Sequence, residues 1–157
     1  MLASAIGDAK RFPNAAAFKS FTGLSPRASE TGNTDLKGQP MSKAGPRRLR
    51  DQLVQSANTA RRLDPQLAEI YHRQMVERGA QHTKALCVVA AKLAERAWLV
   101  MSRGEPYVVR DSSGNEVTRE QAKEIIAEQF NVSEEVRRRK RSRKTKGKAP
   151  HQVLVGT

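Results

Sequence analysis

Gln81-His82-Thr83-Lys84-Ala85-Leu86-Cys87-Val88-Val89-Ala90-Ala91-Lys92-Leu93-Ala94-Glu95-Arg96-Ala97-Trp98-Leu99-Val100-Met101-Ser102 is the stretch that decides the fold. Its apolar residues, from Leu86 to Val100, fall on almost every side of a helix, and Gly104 supplies a stop. Such a helix belongs in the middle of a bundle. Its alanines allow close helix–helix approach, and Trp98 offers a large anchoring surface whose burial contributes about 1.5–3 kcal/mol. That makes Trp98 a structural residue rather than a base-stacking platform. Lys92, Glu95 and Arg96 interrupt the apolar run, so it does not read as a membrane span.

Working outward, Asp64-Pro65 reads as the cap and first turn of a helix whose Leu67, Ile70 and Tyr71 share a face, ending near Gly79. Before it, Pro46 starts a helix with Leu49, Leu53, Ala57 and Ala60 on one stripe and Arg47, Arg48 and Asp51 largely on the other side. Pro13 suits the first position of a helix ended by Gly23, with Phe12, Phe18 and Phe21 in the core. Leu2 to Ile6 reads as the end of a helix terminated by Gly7, a hint that the chain starts partway through an element.

On the other side, Tyr107-Val108-Val109-Arg110, the turn Asp111-Ser112-Ser113-Gly114-Asn115 and Glu116-Val117 predict one short β-hairpin. Thr118 and Gln121 make a capping-box pattern for a helix over residues 119–129, and Ser133-Glu134-Glu135 opens another that dissolves into a basic run. The expected architecture is mainly α: a compact helical domain over residues 1–130 with a long polar loop, the short hairpin, and a basic C-terminal tail, residues 131–157, largely disordered beyond about Arg138.

The 157 residues suffice for one core. A net charge of +13 predicts attraction to polyanions. Nine cations, Arg137, Arg138, Arg139, Lys140, Arg141, Arg143, Lys144, Lys146 and Lys148, stand without an acid among them, so the body is only mildly basic. That run could neutralise up to about nine phosphates, with a log–log salt slope of about −0.9 for each. Solubilisation and anionic lipid are the blander readings; the absence of an aromatic-bearing amphipathic helix beside the run argues against the membrane. The lone Cys87 reads as a buried thiol in a cytoplasmic chain, and the three histidines have no metal-ligand spacing. No metal is expected. The amino terminus lacks the pattern of a secretory signal.

Between the first helices, residues 23–46 form a polar stretch with almost no apolar periodicity. A structureless loop of about twenty residues is usually functional or disordered. Thr31 or Ser29 could act as a hydroxyl nucleophile on a phosphate. Gly32 and Gly45 would admit close backbone approach, and Lys43, Arg47, Arg48 and Arg50 would supply charge beside the helix that Pro46 starts. Glu30 and Asp35 fit turn formers or solvated charges better than a base, and no base for the hydroxyl is identifiable. Walker, dinucleotide and nucleophile-elbow patterns are missing too. A polar connecting loop before an arginine-rich helix stays open, and on these grounds alone the chain is a basic helical domain that binds nucleic acid.

Arg11-Phe12-Pro13, Phe21-Thr22-Gly23-Leu24-Ser25-Pro26, Thr31-Gly32, Gly38, Ser42-Lys43-Ala44-Gly45 and Arg48-Leu49-Arg50, in this order and spacing, resemble the carboxy-terminal domain of bacterial insertion-sequence transposases of the one-hundred-and-ten type. The likeness continues through Ala85-Leu86 to Trp98. It implies DNA transposition and recombination by strand cleavage and exchange, guided by a structured RNA from the element. It also implies an amino-terminal RuvC-like half whose acidic residues bind magnesium, while this half contributes a serine nucleophile. Thr31 occupies the serine's position: it keeps the hydroxyl but adds a β-methyl group that restricts rotamers, and Ser29 is the nearest substitute. The segment from Ser42 to Gly45 would support the loop and the nucleic-acid backbone. The acidic half is absent from this sequence, so Met1 reads as an internal start or the chain as a fragment, inactive alone and without a cofactor of its own. Expected partners are DNA, the structured RNA, and a second copy or an intact transposase, in a bacterial, nucleoid-associated setting without a membrane. The alternatives are a non-catalytic nucleic-acid-binding or regulatory fragment, and a basic protein of ribonucleoprotein assemblies.

Overall fold

The computed structural model describes residues 6–26 and 41–141. Among them the chain is mainly helical, with helices α1 (Ala15–Phe21), α2 (Arg47–Ala60), α3 (Pro65–His72), α4 (His82–Arg103), α5 (Arg119–Gln129) and α6 (Glu134–Arg141). A 3-10 turn, Ala9–Arg11, precedes α1, and a π-helical turn, Arg73–Glu77, continues α3. No helix among the described residues is long and apolar enough to cross a membrane.

Helix α4 is the central element, packed against α1, α2, α3, α6 and the 3-10 turn. Its buried stripe of Ala85, Leu86, Val89, Ala90 and Ala94 meets Leu49, Leu53 and Ala57 of α2, Leu67 and Tyr71 of α3, and Phe18 of α1 in one core. One side of α4 nevertheless faces solvent: Lys84, Val88 and Lys92 are exposed. Trp98 is half-buried, and its Nε1 donates to the Ala9 carbonyl at 3.1 Å, tying the 3-10 turn to the central helix. Gly104 ends α4 in the left-handed conformation, φ 69°, which a side chain would strain.

Asp64 caps α3 by accepting from the Leu67 N–H at 3.1 Å, with Pro65 in its first turn. Thr118 and Gln121 form the expected reciprocal capping box on α5. Pro13, however, is not the first helical residue. Asn14 caps α1 from an extended backbone, φ −158°, its side chain accepting from the Ala17 N–H at 2.8 Å, and the helix begins at Ala15.

The expected hairpin is reduced to one antiparallel bridge, Arg110 with Glu116, closed by the Val117 N–H to Val109 carbonyl bond at 3.1 Å. Two local facts account for this. The Asp111 carboxylate draws the Ser113 and Asn115 N–H groups inward, and the second arm runs only to Val117 before Thr118 caps the next helix. Beyond α5, Val132 is buried and Val136 lies against the core, so the basic run enters the fold on α6 as far as Arg141.

Candidate functional site

Thr31, Ser29 and Gly32, with Glu30 and Asp35, lie outside the described residues, but the two stalks that carry residues 27–40 do not. Pro26 and Met41 form an antiparallel bridge; Ser42 N–H donates to the Ser25 carbonyl at 2.9 Å and Lys43 N–H to the Gly23 carbonyl at 3.1 Å. Leu24 is buried and Met41 rests against the core, so the paired stalks form a neck seated on the hydrophobic body. Thr22, the residue after α1, is fully buried, and its hydroxyl donates to the Lys19 carbonyl at 2.6 Å.

Local sequence builds this neck. Gly23 leaves α1 with φ 73°, and a Cβ there would stand 2.9 Å from the Arg50 guanidinium and 3.0 Å from the Ala44 and Gly45 nitrogens. Gly45 crosses so close to α1's end that a Cβ would press on the Phe21 carbonyl and lie 2.8 Å from the Phe21 and Thr22 carbonyl carbons. The absent side chain of Gly45 is therefore required by the crossing itself. Lys43 takes φ 55°, the left-handed region that non-glycine residues rarely occupy. Arg50 reaches back from α2, and its Nη1 donates to the Gly45 carbonyl at 3.4 Å.

The basic residues expected at the loop divide by role. Lys43, Arg47 and Arg48 are exposed at the neck and in the first turn of α2, whose N-terminus has no side-chain cap. Arg47 makes one long, solvent-exposed pair with Asp51 at 3.5 Å. Arg50 is half-buried against the neck. A helix N-terminus with exposed cations favours anions. Cys87 of α4 lies close enough to this group to feel it: burial pushes its thiol above the ordinary value, while the charges of Arg50 and Lys43 pull the other way.

On α6, Arg138 and Arg139 are exposed, whereas Arg137 is half-buried with its Nε out of contact with any hydrogen-bond partner. Lys140 turns inward, its Nζ donating to the Met75 carbonyl beyond α3. Arg141 is the last residue of the helix.

Sequence reasoning missed a polar network on the other side of α4. Arg96 donates from Nη1 to the Asp64 carboxylate at 2.7 Å and from Nη2 to Gln66 Oε1 at 2.6 Å. The Tyr107 hydroxyl bonds both Asp64 and Arg96, and Gln66 Nε2 donates to the Asp111 carbonyl at 2.9 Å. Burial and then the Asp64 carboxylate hold the Tyr107 phenol above its ordinary value. The signal was Arg96 itself, since a charge inside an apolar helix calls for a partner. Among the described residues no three His, Cys, Asp or Glu side chains gather into a group able to hold a metal.

Residues 1–72 match the family model described as Transposase IS116/IS110/IS902 family. Over 112 residues the chain is 31% identical to the Insertion element IS110 uncharacterized 43.6 kDa protein of Streptomyces coelicolor, covering 71% of this chain and 27% of that protein. Over 113 residues it is 37% identical to the Transposase for insertion sequence element IS1328 of Yersinia enterocolitica, covering 68% of this chain and 32% of that one. The chain thus spans about a third or less of these relatives. No solved structure matches it. Over these stretches the chain is similar to insertion-sequence transposases of the IS110 type.

Proposed function

We propose that this chain is the carboxy-terminal, nucleophile-bearing part of an insertion-sequence transposase, which binds DNA and takes part in strand cleavage and exchange within a longer protein or assembly. The observation that carries this reading is the neck. Paired stalks fixed on the core flank residues 27–40 in the chain, and Lys43, Arg47, Arg48 and the uncapped start of α2 stand at the neck they form. A hydroxyl at Thr31, or at Ser29, would attack a DNA phosphodiester phosphorus, forming an oxygen–phosphorus bond as the strand's own P–O bond breaks. The nearby cations and N–H groups would oppose the charge gathering on the phosphoryl oxygens. Magnesium belongs, in this reading, to acidic residues of an accompanying nuclease domain. The partners are element DNA, a structured RNA of the element and further copies of the transposase, in the bacterial cytoplasm.

The test is transposition in the full-length context. Thr31→Ala abolishes strand exchange and Thr31→Ser preserves it, or Ser29→Ala does the damage instead. Full activity in both alanine variants refutes the nucleophile assignment and leaves a non-catalytic nucleic-acid-binding role. The chain alone, given magnesium, binds element-end DNA without cutting it. Nicking that disappears on Thr31→Ala would overturn the dependence on a second domain.

A further inference from the structure

A second cationic feature lies away from the loop neck, where the end of α2, the face of α3 and the junction of α5 with α6 meet. There a cavity of about 350 Å³ is lined by Arg61, Arg62, Tyr71, Phe130, Asn131 and Arg137 among its residues. Three guanidinium groups border it and no carboxylate does.

Two of the three arginines are held by the fold. Arg61 is buried, its Nε donates to Asn58 Oδ1 at 3.0 Å, and its guanidinium lies 4.1 Å from the centre of the Tyr71 ring. Arg137 is carried to the cavity by α6, whose neighbours Val132 and Val136 anchor it to the core. Its Nε is buried without a hydrogen-bond partner. A buried, unsatisfied donor on a charged group is costly, and an ion or a water is among the things that can satisfy it. Arg62 is exposed at the rim.

Planar guanidinium groups in a fixed arrangement match the tetrahedral oxygens of a phosphate better than they match any neutral ligand. Arg137 is also the first of the nine cations that run to Lys148, so a phosphate seated here would lie at the start of that basic run. From this we propose that the cavity seats one phosphate group of a nucleic-acid backbone, with Arg137 as the inner donor, the Arg61 guanidinium over Tyr71 adding positive charge, and Arg62 closing the rim. The inference rests on the nucleic-acid-binding reading above but concerns a different surface from the loop.

The experiment uses the full chain, its Arg137→Gln and Arg62→Gln variants, and a short labelled DNA duplex, with anisotropy followed over a series of sodium chloride concentrations. Each substitution weakens binding about tenfold at low salt, and Arg137→Gln reduces the magnitude of the log–log salt slope by about 0.9, the value for one phosphate. Arg137→Gln melts at or above the wild-type temperature, because it removes a buried donor that has no partner. A fall of several degrees would make Arg137 a structural residue and overturn the proposal. Inorganic phosphate provides the second arm. If it stabilises the wild type but not Arg137→Gln while duplex binding and slope stay unchanged, the cavity takes free phosphate and the nucleic-acid assignment fails. Wild-type binding that neither variant alters refutes the cavity alone; a wild-type chain that binds no nucleic acid refutes the functional reading and the cavity with it.

Discussion

Replacing Gly45 by alanine tests whether the neck is as closely built as its geometry says. The new methyl would stand 2.8 Å from two backbone carbonyl carbons, those of Phe21 and Thr22, and press harder still on the Phe21 oxygen. Carbon atoms in van der Waals contact sit about 3.5–4.0 Å apart. One strand of the crossing must therefore move by at least about 1 Å, and neither side is a flexible side-chain tip. Phe21 closes α1 beside the fully buried Thr22, while Gly45 is followed by Pro46 and the start of α2. Overpacking of this kind costs about 3 kcal/mol, at the upper end of the usual range. For a chain of this size that lowers the melting temperature by about 6–12 °C.

Gly104→Ala is the matching control. Its φ of 69° strains any side chain, but nothing lies within 4 Å of the added methyl. Left-handed strain alone costs about 1 kcal/mol, so the melting temperature falls by about 2–4 °C. Calorimetry on both variants, with urea unfolding to verify that the m-value is unchanged, separates the two mechanisms. A Gly45→Ala protein no less stable than Gly104→Ala would refute the close crossing, and with it the argument that the neck fixes where residues 27–40 begin and end.

Glu95 offers a pH test: burial pushes its carboxyl up, but hydrogen bonds and charge from Lys19 and Lys92 outweigh this and leave it below the ordinary 4.5. A depressed carboxylate stabilises the fold above the unfolded value and loses that contribution as pH falls from about 4.5 through the folded value. Glu95→Gln therefore costs about 1 kcal/mol at neutral pH and nothing once both forms are protonated; melting temperatures that stay parallel down to strong acid would contradict this. Trp98→Phe removes the 3.1 Å indole bond to Ala9 and lowers stability by about 1 kcal/mol or more, with faster hydrogen exchange in the Ala9–Arg11 turn. Exchange there at the wild-type rate would show that the indole does not hold the turn.

The helical plan was legible because it is written locally. Asp64-Pro65, Thr118 with Gln121, and Gly104 are caps whose chemistry acts within one turn, and each stands where its residue type requires. The neck was not legible in the same way. Its decisive features are a left-handed lysine at Lys43, which composition does not announce, and a backbone crossing between residues more than twenty positions apart. The missing side chain of Gly45, which reads in the sequence as room for a ligand's approach, also has a use in the packing against Phe21. The Asp64, Arg96 and Tyr107 network was hidden for a related reason, since its members come from three separate stretches. Arg137 reads from the sequence as tail charge, although Val132, just before α6, and Val136 on it pack inward and carry it to the body. Thr31 and Ser29 rest on sequence pattern.

The placement of acids explains how a body of modest net charge presents strongly basic surfaces. Asp64 is committed to Arg96, Glu95 to Lys19 and Lys92, Glu69 to Arg73, and Glu116 to Arg110. These pairs neutralise cations that pack on helices α1, α3 and α4 or close the turn at Arg110. Among the described residues no ion pair involves Lys43, Arg48, Arg138 or Arg139, all of them exposed. Positive potential is thus left at the neck and on α6, rather than spread evenly over the molecule. Such a field raises encounter rates with a polyanion and falls away within about 8 Å at physiological salt. A nucleic acid held at one of these surfaces therefore needs the short-range donors to be in place already. On the proposed reading the fold would supply them through Arg50, bound at the neck, and Arg137, carried to the cavity by α6. On the proposed reading the two cationic surfaces would share this division of labour: exposed charges would draw the ligand in, and partly buried guanidinium groups would set where its phosphates rest.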